Sequence, residues 1–442
     1  MSLNEPWARE TPESLRRTQE ELLPWAVARA ARSPAYQHKL TTAGVAPETI
    51  RGVDDLKRLP FTTKDDLRAA MPYGFLAVSR RQVVRMHYSS GTTGIATAVY
   101  HTRGDLDRWA ETVARGLTMV GATADDVFQN MMGYGLFTGG LGLHYAAERI
   151  GCLTIPASAG NTARQVHLLQ TFEVTIIHIL PSYAMHIASY CLEQGIDPPS
   201  DLALRTAHIG AEPHTEDTRR RVEEALGVKV YNCFGLSEMQ GPGVAMECEA
   251  QQGLHLWEDH FLAEIINPQT LEPVAEGEVG ELVLTTLTRE AMPLLRYRTR
   301  DLTRVIPEEC PCGLKHRRIA RLTGRTDDMF IVKGVNVYPL QVEQALMRVP
   351  VFGSNWQIEL TRADDLDEMI VRVELRPGVA FDDMRQLEAV RARVVADLRA
   401  NTLVTPKLQI LEPNALPVTE GKAQRVVDRR ETAAASPPGP LS

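Results

Sequence analysis

Between Leu153 and Tyr231 the chain alternates short apolar runs with longer amphipathic stretches, and few folds accommodate that alternation. The runs Leu153 to Ile155, Val174 to Leu180, Leu204 to Ile209 and Val228 to Tyr231 read as buried parallel strands. Between them, Ser182 to Gly195 carries Met185, Ala188 and Leu192 on one helical face, with Gly195 placed to end the helix. Thr215 to Gly227 repeats the scheme, with Thr215 as candidate N-cap and Val222, Ala225 and Leu226 turned inward. Strand–helix–strand alternation of this kind predicts an α/β fold.

The flanks differ. Residues 1–75 read as polar helices, with Leu22, Trp25, Ala26 and Ala30 at helical spacing. From Ala263 to about Val305 apolar and polar residues alternate across turn signals, as in an antiparallel β region. After Met329 a small α+β module is expected. It comprises a hairpin around Gly334, a helix from about Pro339, two strands flanking a turn at Asp364 to Asp367, a helix near 383–400 and a strand at Leu408 to Leu411. The tail from Thr432 to Ser442 is Ala/Ser/Pro-rich and is expected to be disordered.

Charge and apolar patterning exclude several classes. The 48 Lys and Arg against 56 Asp and Glu leave a formal charge of −8, which argues against a nucleic-acid coat. The longest apolar runs fall well short of the roughly 18 residues a membrane span needs. Met1 to Ser14 lacks the apolar core of a secretory signal. Six cysteines in 442 residues make no disulfide scaffold, so a cytoplasmic protein without nucleic-acid or membrane partners is expected. The charge is uneven, however. Residues 296–325 hold nine Lys and Arg against Asp301, Glu308 and Glu309, a basic patch suited to phosphates or simply a solvated face.

Tyr88-Ser-Ser-Gly-Thr-Thr-Gly94 is poor material for a helix interior. It suits a loop whose backbone N–H groups and hydroxyls, Ser89, Ser90, Gly91, Thr92, Thr93 and Gly94, converge on an anion. No Walker motif is present. The loop resembles the phosphate loop of the adenylate-forming enzymes, the superfamily of acyl-CoA synthetases, adenylation domains and luciferases. Four further stretches resemble that superfamily's motifs in order: Tyr231 to Glu238, Tyr297 to Asp301, Thr323 to Asp328 and Pro417 to Lys422. Gly133 to Gly140, Gly210 to Pro213, Gly241 to Val244, Leu254 to His260 and Leu59 to Asp66 resemble the phenylacetate–CoA ligase family within it. The likeness runs from about residue 20 to about 430. Two positions depart from the family pattern: Ile95, where a lysine is usual, and Tyr88, where a small residue is usual.

The resemblance implies an adenylate-forming fold. A large N-terminal domain of α/β subdomains plus a β region would span 1–326, and a small mobile α+β domain 327–431. It implies that Lys422 bridges carboxylate and α-phosphate, that Glu238 holds Mg²⁺, and that Asp301 takes the ribose hydroxyls with Arg325 in support. Ala211, Glu212 and Pro213 would pack on adenine, Asn232, Phe234, Gly235 and Ser237 would line the nucleotide motif, and Asp327 would be the hinge. Tyr134, Phe137, Gly139 and Gly140 would shape an aryl pocket, aromatic walls favouring stacking and glycines letting a flat ring slide past. Ordinary core packing is the alternative for the two aromatics.

Cys310-Pro-Cys312 stands out among the cysteines. With Cys248 and His255 it makes a Cys₃His set suited to structural zinc, His260 and His316 being competing ligands and free thiols the alternative. The reading is an aryl-acid–CoA ligase using ATP, Mg²⁺ and coenzyme A, with a homodimer as the family-level expectation. Delivery of the acyl group to a carrier protein or amine is one alternative. A catalytically weakened binding protein, suggested by Ile95, is another.

Overall fold

The computed structural model describes residues 5–89, 96–363, 366–379, 384–417 and 424–430. By packing, the chain divides into two units. The first is drawn from Met1–Ile179, Leu202–Ala211 and Lys229–Thr323, the second from Leu180–Asp201, Glu212–Val228 and Gly324–Ser442.

The first unit opens with α1 (Pro12–Ala30), α2 (Pro34–Thr42) and α3 (Lys64–Ala69). Thr11, Ser33 and Thr63 cap them, each side chain accepting a first-turn amide that would otherwise lack a partner. β1 (Arg85–Tyr88) and β2 (Ala98–His101) pair antiparallel, followed by α4 (Arg103–Met119). The central sheet contains β3 (Val127–Asn130), β4 (Leu153–Ile155), β5 (Ile176–Ile179), β6 (Thr206–Gly210), β7 (Lys229–Leu236), β8 (Gly241–Glu247), β9 (Leu254–Leu256), β13 (Val305–Ile306) and β14 (Arg318–Ile319). Their order is β13-β14-β9-β8-β7-β6-β5-β3-β4. The half from β4 to β7 is parallel, as the apolar runs predict, and the rest antiparallel. β7 continues past Tyr231 to Leu236 because β8 returns beside it and takes up the backbone groups there.

The helices α5 (Gly139–Ile150) and α6 (Thr162–Thr171) belong to this unit. β10 (Phe261–Ile266), β11 (Gly280–Thr286) and β12 (Tyr297–Thr303) form the antiparallel region expected after Ala263. Trp109, Phe128, Trp257 and Phe261 are fully buried in one core.

In the second unit, α7 (Pro181–Glu193), α8 (Pro198–Asp201) and α9 (Glu216–Leu226) join the C-terminal elements. Thr215 caps α9 and Gly227 ends it in the left-handed region, at φ 68°, both as the sequence predicts. β15 (Gly324–Arg325) precedes the hairpin β16 (Phe330–Val332) and β17 (Val335–Val337), then α10 (Pro339–Met347). β18 (Phe352–Ala363), β19 (Leu366–Leu375), β20 (Lys407–Leu411) and β21 (Val426–Asp428) lie in the order β20-β19-β18-β21, with α11 (Met384–Thr402) preceding β20. β21 is too short to carry a pattern of its own and takes its place by parallel pairing with β18.

Polar contacts explain why α9 keeps company with α10, although the sequence suggests a boundary at 326/327. Arg221 on α9 is buried and donates to the carbonyls of Phe352, Met347 and Val349 at 2.8, 2.6 and 2.7 Å. Glu343 on α10 accepts from the Thr218 hydroxyl at 2.5 Å and the Thr215 amide at 3.1 Å. Burial raises the Glu343 carboxyl above its ordinary value, and these hydrogen bonds only partly oppose that. Among the described residues no helix is long and apolar enough to cross a membrane.

Candidate active site

In the first unit, side chains from four separate segments meet around Glu238. Ser89, just beyond β1, is buried and locked to Thr97: the two hydroxyls lie 2.8 Å apart, and the Thr97 amide donates to Ser89 Oγ at 3.0 Å. Thr97 in turn donates to Glu238 Oε1 at 3.3 Å. Lys64, the first residue of α3, brings its Nζ within 3.4 Å of the same oxygen. Glu238 is thus a buried carboxylate held by a hydroxyl and an ammonium. Close by in sequence, Ser237 Oγ lies 3.1 Å from Thr138 Oγ1 at the start of α5.

Thr97 and Lys64 carry no assigned role in the sequence reading. Lys64 lies in the Thr-Thr-Lys-Asp-Asp stretch that resembles the family, which was the only available signal. Ser90, Gly91, Thr92, Thr93, Gly94 and Ile95 lie outside the described residues, as does Lys422. Tyr88 closes β1 half-buried, its amide donating to the Leu136 carbonyl at 2.8 Å.

The remaining first-unit residues take distinct places. Asn232 and Phe234 are buried on β7, and the Asn232 amide donates to Glu247 Oε2 at 2.7 Å. Gly235 sits where β7 shifts register against β8, and a Cβ there would stand 2.0 Å from the Gly241 carbonyl. Asp301 is buried on β12. Arg298, on the same strand, holds Glu281 at 2.6 Å. Ala211 follows β6 in the left-handed region, at φ 64°.

Around the expected aryl pocket, Asn130 Nδ2 donates to Tyr134 Oη at 2.9 Å and to the Gly140 carbonyl at 2.6 Å. Burial pushes the Tyr134 hydroxyl up to about 12. Gly140 passes so close to Gly133 that a Cβ would lie 2.8 Å from its carbonyl oxygen. Gly139 is half-buried beside Met132. Phe137 is 52% exposed, so its ring stands out in solvent in this structure.

In the second unit, Glu212 is half-buried and accepts from the Ser182 amide at 3.3 Å, with Pro213 exposed beside it. Arg325 grips Asp327 through two bonds, at 2.9 and 3.0 Å, which joins the expected ribose arginine to the expected hinge.

A second cluster lies at the sheet edge of the first unit. Cys248 follows β8, His255 is on β9, and Cys310 and Cys312 occupy a turn before β14. Their ligand atoms all lie within 4.8 Å of one another. Cys248 and Cys310 Sγ are 3.5 Å apart, and Cys312 Sγ is 3.3 Å from His255 Nε2. Tetrahedral zinc, with bonds of about 2.3 Å to sulfur and about 2.0 Å to nitrogen, needs ligand separations of about 3.6–3.8 Å. His255 Nδ1–H donates to the His316 carbonyl at 2.8 Å, which turns Nε2 toward the cysteines. The Cys248 hydrogen bond and the His255 ring pull the Cys312 thiol down to about 3, toward the thiolate a metal would bind. His316 contributes its carbonyl rather than its ring, which accepts from the Glu258 amide. His260 engages Thr288 and Arg115.

The parallel sheet, the small C-terminal sheet and the buried carboxylate linked through Thr97 to Ser89 define the class: an AMP-binding enzyme. The family model for AMP-binding enzymes matches residues 29–287, and that for their C-terminal domain residues 334–430. The chain is 48% identical over 434 residues to phenylacetate–coenzyme A ligase of Thermus thermophilus, covering 95% of this chain and 97% of that protein. It is 42% identical to the same enzyme of Pseudomonas putida, with 97% of each covered. Crystalline 2-hydroxyisobutyryl-CoA ligase, in the postadenylation state with 2-HIB-AMP, superposes with a TM-score of 0.89 at 29% identity, over 96% of this chain and 92% of that one. The chain belongs to the phenylacetate–coenzyme A ligase family, and with it is an acid–thiol ligase.

Proposed function

We propose that the chain joins an aryl carboxylic acid to coenzyme A at the expense of ATP. The acid's carboxylate oxygen attacks the α-phosphorus, the bond to pyrophosphate breaks, and an aryl-adenylate forms. The thiolate of coenzyme A then attacks the acyl carbon and AMP leaves. The observation that carries this reading is the buried Glu238, held by Thr97 and Lys64, with Thr97 in turn bonded to Ser89 where the phosphate-loop motif begins. Near-full-length identity to phenylacetate–coenzyme A ligases supports the substrate class.

Two anions must approach one another in the first step, so the site has to supply aimed positive charge and exclude water. Lys64 supplies one cation, and by family resemblance Lys422 supplies another. Mg²⁺, which favours carboxylate and phosphate oxygens, would be held by Glu238 and would neutralise phosphate charge. Asp301, able to accept two vicinal hydroxyls, would hold the ribose with Arg325 in support. The boundary at 326/327 and the hinge at Asp327 belong to the same reading, as does a structural zinc at Cys248, His255, Cys310 and Cys312. Zinc there would tie β8, β9 and the 310–313 turn together without an open coordination position.

ATP–pyrophosphate exchange over phenylacetate, benzoate and aminobenzoate tests the reading, and no exchange with any of them overturns it. AMP release with coenzyme A, a holo-carrier protein or an amine identifies the acceptor, with coenzyme A expected. Lys422→Ala is expected to abolish adenylation while sparing thioester formation from supplied adenylate. Equal loss of both steps would contradict the role given to Lys422.

A further inference from the structure

His178 and His208 stand at facing register positions on β5 and β6, and the same row continues to Asn130 on β3 and Tyr231 on β7. Residues level with one another on parallel strands present side chains to the same face of the sheet. Asn130 ends β3 and His178 lies one residue from the end of β5, near the carboxyl ends where open α/β sheets bind ligands, while His208 sits at the middle of β6. Gly210, two residues beyond His208 on that face, ends β6 and sets no side chain above the imidazole.

Asn130 connects the row to the expected aryl pocket. Its Nδ2 is committed to Tyr134 Oη and the Gly140 carbonyl, so Oδ1 is turned to accept from His178 Nδ1–H at 3.2 Å. His208 is fully buried, and among the described residues neither of its ring nitrogens has a hydrogen-bond partner. Burial drives both imidazoles down to about 3, so each is neutral at physiological pH, with one donor and one acceptor nitrogen. A leucine would fill a purely apolar floor without leaving two polar atoms unpaired.

We propose that His208, backed by His178, reads a hydrogen-bonding ring substituent of the acid, so that the preferred substrate is a hydroxy- or amino-substituted aryl acid. This rests on the aryl-acid ligase reading and narrows it. A ring hydroxyl or amine can donate to the bare nitrogen of a neutral imidazole, and a hydroxyl can alternatively accept from its N–H. Tyr134, an expected wall of the aryl pocket, is bonded to Asn130 of the same row. A pocket built to bond such a group discriminates against the analogue lacking it, because the pocket's own polar atoms are then left stranded.

The test measures kcat/KM in ATP–pyrophosphate exchange for phenylacetate, 3- and 4-hydroxyphenylacetate and 4-aminophenylacetate. The wild-type chain should favour at least one substituted acid by about tenfold or more. His208→Gln should keep the preference, and His208→Leu should reverse it by raising activity with phenylacetate. A wild-type preference for phenylacetate, or none, overturns the proposal whatever the variants do. If no acid supports exchange, the ligase reading fails and imidazole ¹⁵N spectra decide this one. A histidine signal missing from His208→Gln should move when a substituted acid is added and stay with phenylacetate. An unmoved signal, as for a ring satisfied by internal water, overturns it.

Discussion

Lys64 Nζ lies 3.4 Å from Glu238 Oε1, with Glu238 almost wholly buried and Lys64 partly open to solvent. The pair brings a cation to this carboxylate in a chain whose sequence has Ile95 where a phosphate-loop lysine is usual. Among the described residues, removing the ammonium would leave the carboxylate with the Thr97 hydroxyl and would deprive phosphate of a charged donor. Lys64→Met is therefore expected to lower kcat/KM for ATP in the exchange assay by about 10- to 100-fold, an interaction with a charged group being worth about 1.5–3 kcal/mol. Lys64→Arg should recover part of the loss. Unchanged kinetics in Lys64→Met would remove the residue from the phosphate site.

Gly140 offers a test of the aryl side. A methyl group there would stand 2.8 Å from the Gly133 carbonyl and 3.2 Å from Tyr134 Cδ1, so the backbone rather than a flexible side-chain tip must give way. Overpacking of this kind costs about 1–3 kcal/mol. Gly140→Ala is expected to raise KM for the acid about tenfold while KM for ATP changes little, since the Glu238 cluster does not involve this carbon. A parallel rise in both constants would indicate general misfolding rather than a displaced Tyr134.

What the sequence made legible was local or periodic. Thr215 and Gly227 bracket α9 because caps act within one turn. β5, β6 and β7 were visible because both of their faces are largely buried, whereas the run predicted as buried at Leu153 to Ile155 is the edge strand β4, with Leu153 58% exposed. The Cys₃His set could be read because cysteines are few and Cys310 and Cys312 nearly adjacent. The pairing of Lys64 with Glu238 could not, because it depends on how distant segments pack. The His178–His208 row depends on strand register, and a histidine within an apolar run looks the same whichever residue it faces. The company α9 keeps with α10 was hidden likewise: Arg221 bonds to backbone carbonyls, and carbonyls carry no sequence signature.

Zinc bound by Cys248, His255, Cys310 and Cys312 would cross-link β8, β9 and the 310–313 turn, and its binding energy would count toward folding of the first unit. Purified protein should contain about one zinc per chain by elemental mass spectrometry. Chelation, or Cys312→Ser, should lower Tm by about 5–10 °C, since about 3 kcal/mol moves the midpoint of a domain this size by that much. Zinc-free protein with an unchanged Tm would show that the four residues are simply buried thiols beside a histidine.

The buried imidazoles of His178 and His208 make the first unit acid-sensitive in a defined window. Each has its folded value lowered by burial from 6.5 to about 3, so between those limits the unfolded chain takes up protons that the folded chain refuses. The stability they contribute is fully present above pH 6.5 and is lost progressively as the pH falls toward 3. One such histidine changes the slope of unfolding free energy by about 1.4 kcal/mol per pH unit inside the window. Urea unfolding at pH 7, 5.5 and 4.5 should therefore show the wild type losing stability more steeply than His208→Leu, by about 1–2 kcal/mol between the last two. Above pH 7 the two curves should run parallel. Equal slopes throughout would mean that His208 gains a proton in the folded state without penalty, and so that its ring is not buried as described.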